Sequence, residues 1–109
     1  MFELRIEQKF FASHALRLYD GSREPVHAHD WRVVVEVRSE KLDGIDVVMD
    51  FHALEGVVGG VLEGLRGRDL NEHPAFAAAN PSAERVAEHV YREVAGAMPK
   101  GVVLRRVTV

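Results

Sequence analysis

EPVHAHDWRVVVEVR, residues 24–38, decides how this chain is read. From about 29 to 38, Trp31, Val33, Val35 and Val37 share one parity, while Arg32, Glu36 and Arg38 share the other. Period two marks a strand with one buried face, and only Val34 breaks the pattern. His27 and His29 carry the apolar parity back toward the strand's mouth, so both imidazoles face the core side. Pro25 biases Glu24, just ahead of them, toward an extended backbone.

A second alternating stretch lies upstream, at residues 2–18. Phe2, Leu4, Ile6, Phe10, Ala12, Leu16 and Leu18 hold one parity, and Glu3, Arg5, Glu7, Lys9, Ser13 and Arg17 the other, with Gln8 and Phe11 as exceptions. The stretch YDGSREP between the two strands carries the Asp-Gly and Pro marks of a loop. If the strands pair as a hairpin across residues 19–26, His14 joins His27 and His29 on one face and at one end. Three polar rings gathered on an apolar face are costly without a common partner, and a metal ion removes that cost. Three neutral imidazoles with an open fourth position match a catalytic zinc site, although imidazole also accepts other first-row metals. A cupin barrel also uses a His-x-His strand, but no glutamate follows His29 at the expected place and the strands are too few. His52, at the opening of a helix, His73, in a loop, and His89, on the polar side of a helix, read as surface residues.

Further along, Asp43-Gly44 marks a turn and IDVVMDF a short extended piece. Leu54, Val57, Val58, Val61, Leu62 and Leu65 repeat with helical spacing, predicting an amphipathic helix over about 52–66 with Asp50 as cap and Gly67 as stop. Ala83, Val86, Ala87, Val90, Tyr91 and Val94 predict a second helix over about 83–97, introduced by Asn80-Pro81-Ser82, with Glu84 favouring its N-terminus. A last strand covers roughly 101–109. These elements predict one α+β domain over 1–109, an antiparallel sheet covered on one face by two helices. The composition, 47% hydrophobic and 28% charged, is that of a globular domain rather than a disordered one. A net charge of −3 without a Lys/Arg run gives no electrostatic reason to expect nucleic acid. No apolar run approaches the roughly 18 residues of a membrane span. The opening residues do not read as a signal peptide, and zero cysteines exclude a disulfide framework and a thiolate nucleophile. A soluble, cytoplasmic protein is the expectation.

FFASHAL (10–16), VHAHDW (26–31), VVMDFHAL (47–54), DLNEHP (69–74) and NPSAE (80–84), taken in order, resemble the 6-pyruvoyl-tetrahydropterin synthase family, which includes the 6-carboxy-5,6,7,8-tetrahydropterin synthases. The resemblance implies the tunnelling fold (T-fold), with sheets assembled into a barrel as a homo-trimer or homo-hexamer. It also implies active sites at the subunit interfaces and a zinc ion on His14, His27 and His29. Its substrate would be 7,8-dihydroneopterin triphosphate, and its bacterial branch leads to queuosine-type deazapurines. Three departures accompany it. The family's cysteine base falls on Arg23, its Asp-His pair falls on Arg66 and Gly67, and its pterin-anchoring glutamate follows the last strand, past Val109. Glu24 matches a cysteine-free branch in which a glutamate replaces that cysteine and 6-hydroxymethyl-dihydropterin is released. Glu24 is therefore the candidate base, with a dry pocket expected to raise its pKa toward working pH. Arg66, Arg68, Asp69 and His73, where the Asp-His pair would lie, are candidates for proton transfer or for contact with the triphosphate.

Three readings follow from the sequence. The first is a zinc-dependent lyase acting on a pterin. The second is a metal-binding but catalytically silent relative that holds a pterin-like heterocycle. The third is an unrelated small hydrolase using zinc-bound hydroxide.

Overall fold

Hydrogen-bonded pairing joins the two alternating stretches into one long hairpin. In the computed structural model, which describes residues 1–109, β1 (Phe2–His14) and β2 (His27–Ser39) run antiparallel from Phe2 opposite Ser39 to His14 opposite His27. A third strand, β3 (Val103–Thr108), pairs antiparallel with the other side of β2, giving the order β1-β2-β3. Its register shifts beside Glu36 and Val37, where Arg106 and Leu104 are the partners and Arg105 is the extra residue of a bulge.

The inner face carries Ile6, Phe10, Ala12, Trp31, Val33, Val35, Val37 and Leu104. These residues merge with Leu54, Val58, Leu62, Val86, Val90 and Val94 of the helices into one hydrophobic cluster. Helix α1 (Phe51–Glu63) buries Leu54, Val58 and Leu62 and helix α2 (Ala83–Ala95) buries Val86, Val90 and Val94, as their 3.6-residue spacing predicts. Tyr91 of the expected stripe is instead exposed and donates its hydroxyl to the Leu104 carbonyl at 3.2 Å. Phe10 and Trp31, paired across the hairpin, stack with ring centroids 5.8 Å apart. The outer face is charged. Glu7 meets Arg32, Glu3 meets Arg105 at 3.2 Å, and Glu36 meets Arg105 and Arg106. Val34 is buried on this face because long charged side chains, among them Arg5, Arg32 and Arg106, flank it with their apolar stems.

Several boundaries differ from the sequence expectation. β1 ends at His14 rather than continuing to Leu18, because the backbone beyond it turns to side-chain partners described below. IDVVMDF forms no strand. The Asp43 carboxylate accepts from the Ile45 and Val47 amides at 2.9 and 3.3 Å, curling the segment into a loop that turns Met49 into the core. Asp50 does cap α1, accepting from the His52 amide at 3.1 Å. That helix ends at Glu63, however, and Gly64 rather than Gly67 is its C-cap. Gly67 takes φ 71° and donates its amide to the Phe11 carbonyl at 2.7 Å, so it turns the chain onto β1. No helix is long and apolar enough to cross a membrane.

His52 is exposed, as expected, but His73 and His89 are half-buried and meet each other with ring centroids 5.4 Å apart, both against Phe76. Two short 3-10 turns, Leu70–Glu72 and Pro74–Phe76, bring His73 over α2. Loss of water holds the His89 imidazole below its usual 6.5, the neighbouring His73 adds to the effect, and Arg92 and Glu93 act in opposite directions.

Leu54 is fully buried, so Leu54→Ala is expected to cost about 2–5 kcal/mol in denaturant unfolding. Arg105→Ala, on the outer face, is expected to cost about 1 kcal/mol or less. Folding favours neutral His89, whose stabilising contribution is complete above pH 6.5 and shrinks as pH falls below it, because the unfolded chain takes up the proton first. Melting temperature is therefore expected to fall on acidification from about pH 7 to 5.5, and to fall less steeply in His89→Gln. A variant curve parallel to the wild type would remove His89 from the account.

Candidate metal centre

The end of β1 and the start of β2 bring three imidazoles together. His14 lies directly opposite His27 in the register, and His29 lies opposite Ala12, two residues further along the same face. One ring nitrogen from each of the three lies within 4.8 Å of the other two. His14 is buried, while His27 and His29 are exposed at the rim. Trp31 floors the group, with its ring 4.6 Å from both His14 and His29.

Hydrogen bonds fix which nitrogens carry protons. The His14 Nδ1 lies 2.8 Å from the Pro81 carbonyl, and the His29 Nδ1 lies 3.0 Å from the Asp30 carbonyl. A carbonyl only accepts, so both Nδ1 atoms donate and both Nε2 atoms of the neutral rings present lone pairs. Those two Nε2 atoms stand 3.2 Å apart. Lone pairs so placed repel unless a cation lies between them. A tetrahedral zinc with Zn–N bonds of about 2.0–2.1 Å would separate its nitrogens by roughly 3.3–3.4 Å. Burial lowers the His14 pKa, the bond to Pro81 partly offsets this, and the other two imidazoles lower it further. His14 is thus disposed to be neutral, as a ligand must be. The donor set fits zinc or a similar first-row cation and leaves room for water or substrate at the exposed side.

Glu24 completes the rim. Its Oε1 accepts from the Leu16 amide at 2.9 Å and lies 3.2 Å from the His27 Nε2, leaving Oε2 free. The Leu16 amide, and then the His27 ring, pull the Glu24 pKa below its ordinary value. The dry pocket expected to raise it is absent, because the side chain is only half-buried and two donors favour the carboxylate.

The supports of this rim come from the far end of the chain. Asn71 accepts from the Ala15 amide at 2.8 Å and donates to the Ala15 carbonyl at 2.7 Å. Asn80 treats Arg17 the same way, at 2.7 and 3.0 Å. Each side-chain amide replaces a neighbouring strand for one residue, and the next residue, Pro81, holds His14. Ser82 then caps α2 through the Arg85 amide. The sequence reading gave Asn71 no part in the site and Asn80 only a part in capping. Separations of 56 and 63 residues leave no local signal.

The other expected residues lie elsewhere. Arg66 pairs with Glu63 at 2.8 Å and reaches the Lys9 carbonyl at 3.3 Å. Arg68 contributes its carbonyl to the Ser13 amide, and Asp69 caps the first 3-10 turn through the Asn71 amide. His73 caps the second turn through the Ala75 amide. This stretch therefore seals the edge of β1 beside His14 and brings none of these side chains into the three-histidine group.

The family model described as 6-pyruvoyl tetrahydropterin synthase matches residues 3–109. The dihydroneopterin monophosphate aldolase of Pyrococcus furiosus is 32% identical over 99 residues, covering 91% of this chain and 80% of that protein. The Caenorhabditis elegans 6-pyruvoyl tetrahydropterin synthase superimposes with a TM-score of 0.79 at 19% identity, over 96% of this chain and 94% of its own. A Plasmodium vivax 6-pyruvoyltetrahydropterin synthase, solved with a catalytic glutamate replaced by alanine, gives 0.72 at 18% identity, over 87% and 78% of the two chains. The T-fold expected from the sequence is the fold observed. With nearly its whole length matched, the chain belongs to the 6-pyruvoyl tetrahydropterin synthase family, the lyases of pterin biosynthesis.

Proposed function

We propose that this protein is a zinc-dependent lyase that cleaves the side chain of a dihydroneopterin phosphate in the manner of an aldolase. The observation that carries the reading is the Glu24 carboxylate, 3.2 Å from the His27 ring at the edge of the three-histidine group. Two comparisons support it, since the Pyrococcus relative is named an aldolase for dihydroneopterin monophosphate and the Plasmodium synthase works with a glutamate. With no cysteine in the chain, Glu24 is the base the reading relies on.

His14, His27 and His29 would hold the ion, which would act as a Lewis acid toward the side-chain oxygens. Glu24, held ionised by Leu16 and His27, takes the proton of the 2′-hydroxyl on its free Oε2. The C1′–C2′ bond breaks, and the two-carbon fragment leaves as an aldehyde that keeps the phosphate. The bond's electron pair forms C6=C1′, and the imine electrons pass to N5, which gains a proton. Protonation at C1′, with loss of the N5 proton, gives 6-hydroxymethyl-dihydropterin. Glu24, now carrying a proton, is placed to deliver it at C1′. Its lowered pKa makes it a weak base, so position rather than basicity is what it supplies.

The reading includes a homo-oligomer. The edge of β1 over residues 2–9 and the outer edge of β3 both lack strand partners, and such edges invite pairing with another copy. A monomeric mass in solution would count against it.

The zinc-loaded protein is expected to convert dihydroneopterin monophosphate to 6-hydroxymethyl-dihydropterin, identified by mass spectrometry. Glu24→Gln is expected to lose about 10²–10⁴-fold in kcat while keeping its metal, and His27→Ala to lose the metal. A metal-loaded wild type that leaves the substrate intact would favour the catalytically silent reading, whereas a metal-dependent esterase activity without pterin turnover would favour the small hydrolase.

A further inference from the structure

On the loop between β1 and β2, Arg17 and Arg23 stand opposite each other in an antiparallel bridge. Opposed side chains lie about 5 Å apart on one face of such a pair, and like charges so placed repel. The acids of the same loop do not answer them. Asp20 turns back onto the Ser22 amide and hydroxyl, at 2.9 and 2.6 Å, and Glu24 is committed to Leu16 and His27. Nor is the backbone free to part. Asn80 holds both the amide and the carbonyl of Arg17, and the Glu24 amide bonds the Leu16 carbonyl at 3.0 Å. Gly21, at φ 83°, closes the turn between them. Both arginines line a cavity of about 140 Å³ bounded by Asn71 and Phe76. Small-molecule pockets are usually about 300–1,000 Å³, so this one suits a single appended group of a larger ligand.

We propose that Arg17 and Arg23 form an anion subsite for the phosphate on the substrate's side chain, an inference that rests on the lyase reading above. Two guanidinium groups offer forked donors matched to phosphate oxygens, and a dianion between them converts their repulsion into attraction. Arg23 precedes Glu24 and Arg17 follows Leu16, whose amide the Glu24 carboxylate accepts, so the arginine pair and the candidate base belong to one hydrogen-bonded loop. The subsite makes the phosphate a specificity determinant, and it accounts for two arginines that the catalytic scheme leaves unused.

The test uses the metal-loaded protein with Arg17→Gln, Arg23→Gln and the double variant. Both side chains are exposed and their backbone bonds survive the change, so folded variants are expected. Titration with inorganic phosphate and then pyrophosphate is followed by NMR at the arginine Nε–H and loop amide signals. Saturable shifts at Arg17, Arg23 and Ala77 that vanish in the double variant support the subsite, while silence at these positions overturns it. The ratio of kcat/KM for dihydroneopterin monophosphate to that for unphosphorylated dihydroneopterin is expected to fall at least about tenfold on removal of either arginine. Phosphate binding with an unchanged ratio overturns the assignment to the substrate. In a protein that turns over no pterin, that assignment falls with the lyase reading, and the titration alone still decides whether the arginines hold an anion.

Discussion

The pairing of β1 with β2, in the one register that sets His14 opposite His27, is the constraint on which the rest of the structure depends. Side chains alternate across a strand, so a slip of one residue would send Phe10, Ala12 and His14 to the face of Glu7 and Lys9. It would empty the core and scatter the imidazoles together. The forces that fix the register are apolar and reach the histidines only through Trp31. Phe10 stacks on Trp31, and Val33, Val35 and Val37 are buried beneath the helices. Hydrophobic burial thus positions a polar centre that contributes little to the fold by itself.

A register alone would leave the loop beyond His14 free. Three groups from the second half of the chain hold it: the amides of Asn71 and Asn80, and the carbonyl of Pro81. Each asparagine satisfies one residue's amide and carbonyl together, which is what a neighbouring strand would do at a place where no strand runs. The charged loop between β1 and β2 therefore begins from a rigid footing. The same Asn80-Pro81-Ser82 stretch ends in the cap of α2, so the packing of that helix reaches the His14 ring through two peptide units.

Charge is divided between the two faces of the sheet with different consequences. Outer-face ion pairs such as Glu7 with Arg32 are open to water and add little stability. At the rim, partial burial of His14 disfavours its protonated form, while the Leu16 amide and the His27 ring favour the ionised form of Glu24. A neutral ring beside an ionised carboxylate is the state that both metal ligation and proton abstraction require.

Alternation and helical spacing in the sequence determined the sheet face, both helices and the shared side of His14, His27 and His29, because these follow from the geometry of residues close together in the chain. Spacing also placed the cap at Asp50. It misread IDVVMDF, where a single carboxylate, Asp43, outweighs a β-prone composition. Beyond Glu24, which its place in the chain already set beside His27, tertiary structure alone decided what lies near the three rings. It brought Asn71, Asn80 and Pro81 to the site across more than fifty residues. It also turned Arg66 and His73 away, paired His73 with His89, and set Arg17 against Arg23. Such contacts are made by whichever groups the folded chain presents, and a pattern with a period of two or of 3.6 carries no trace of them.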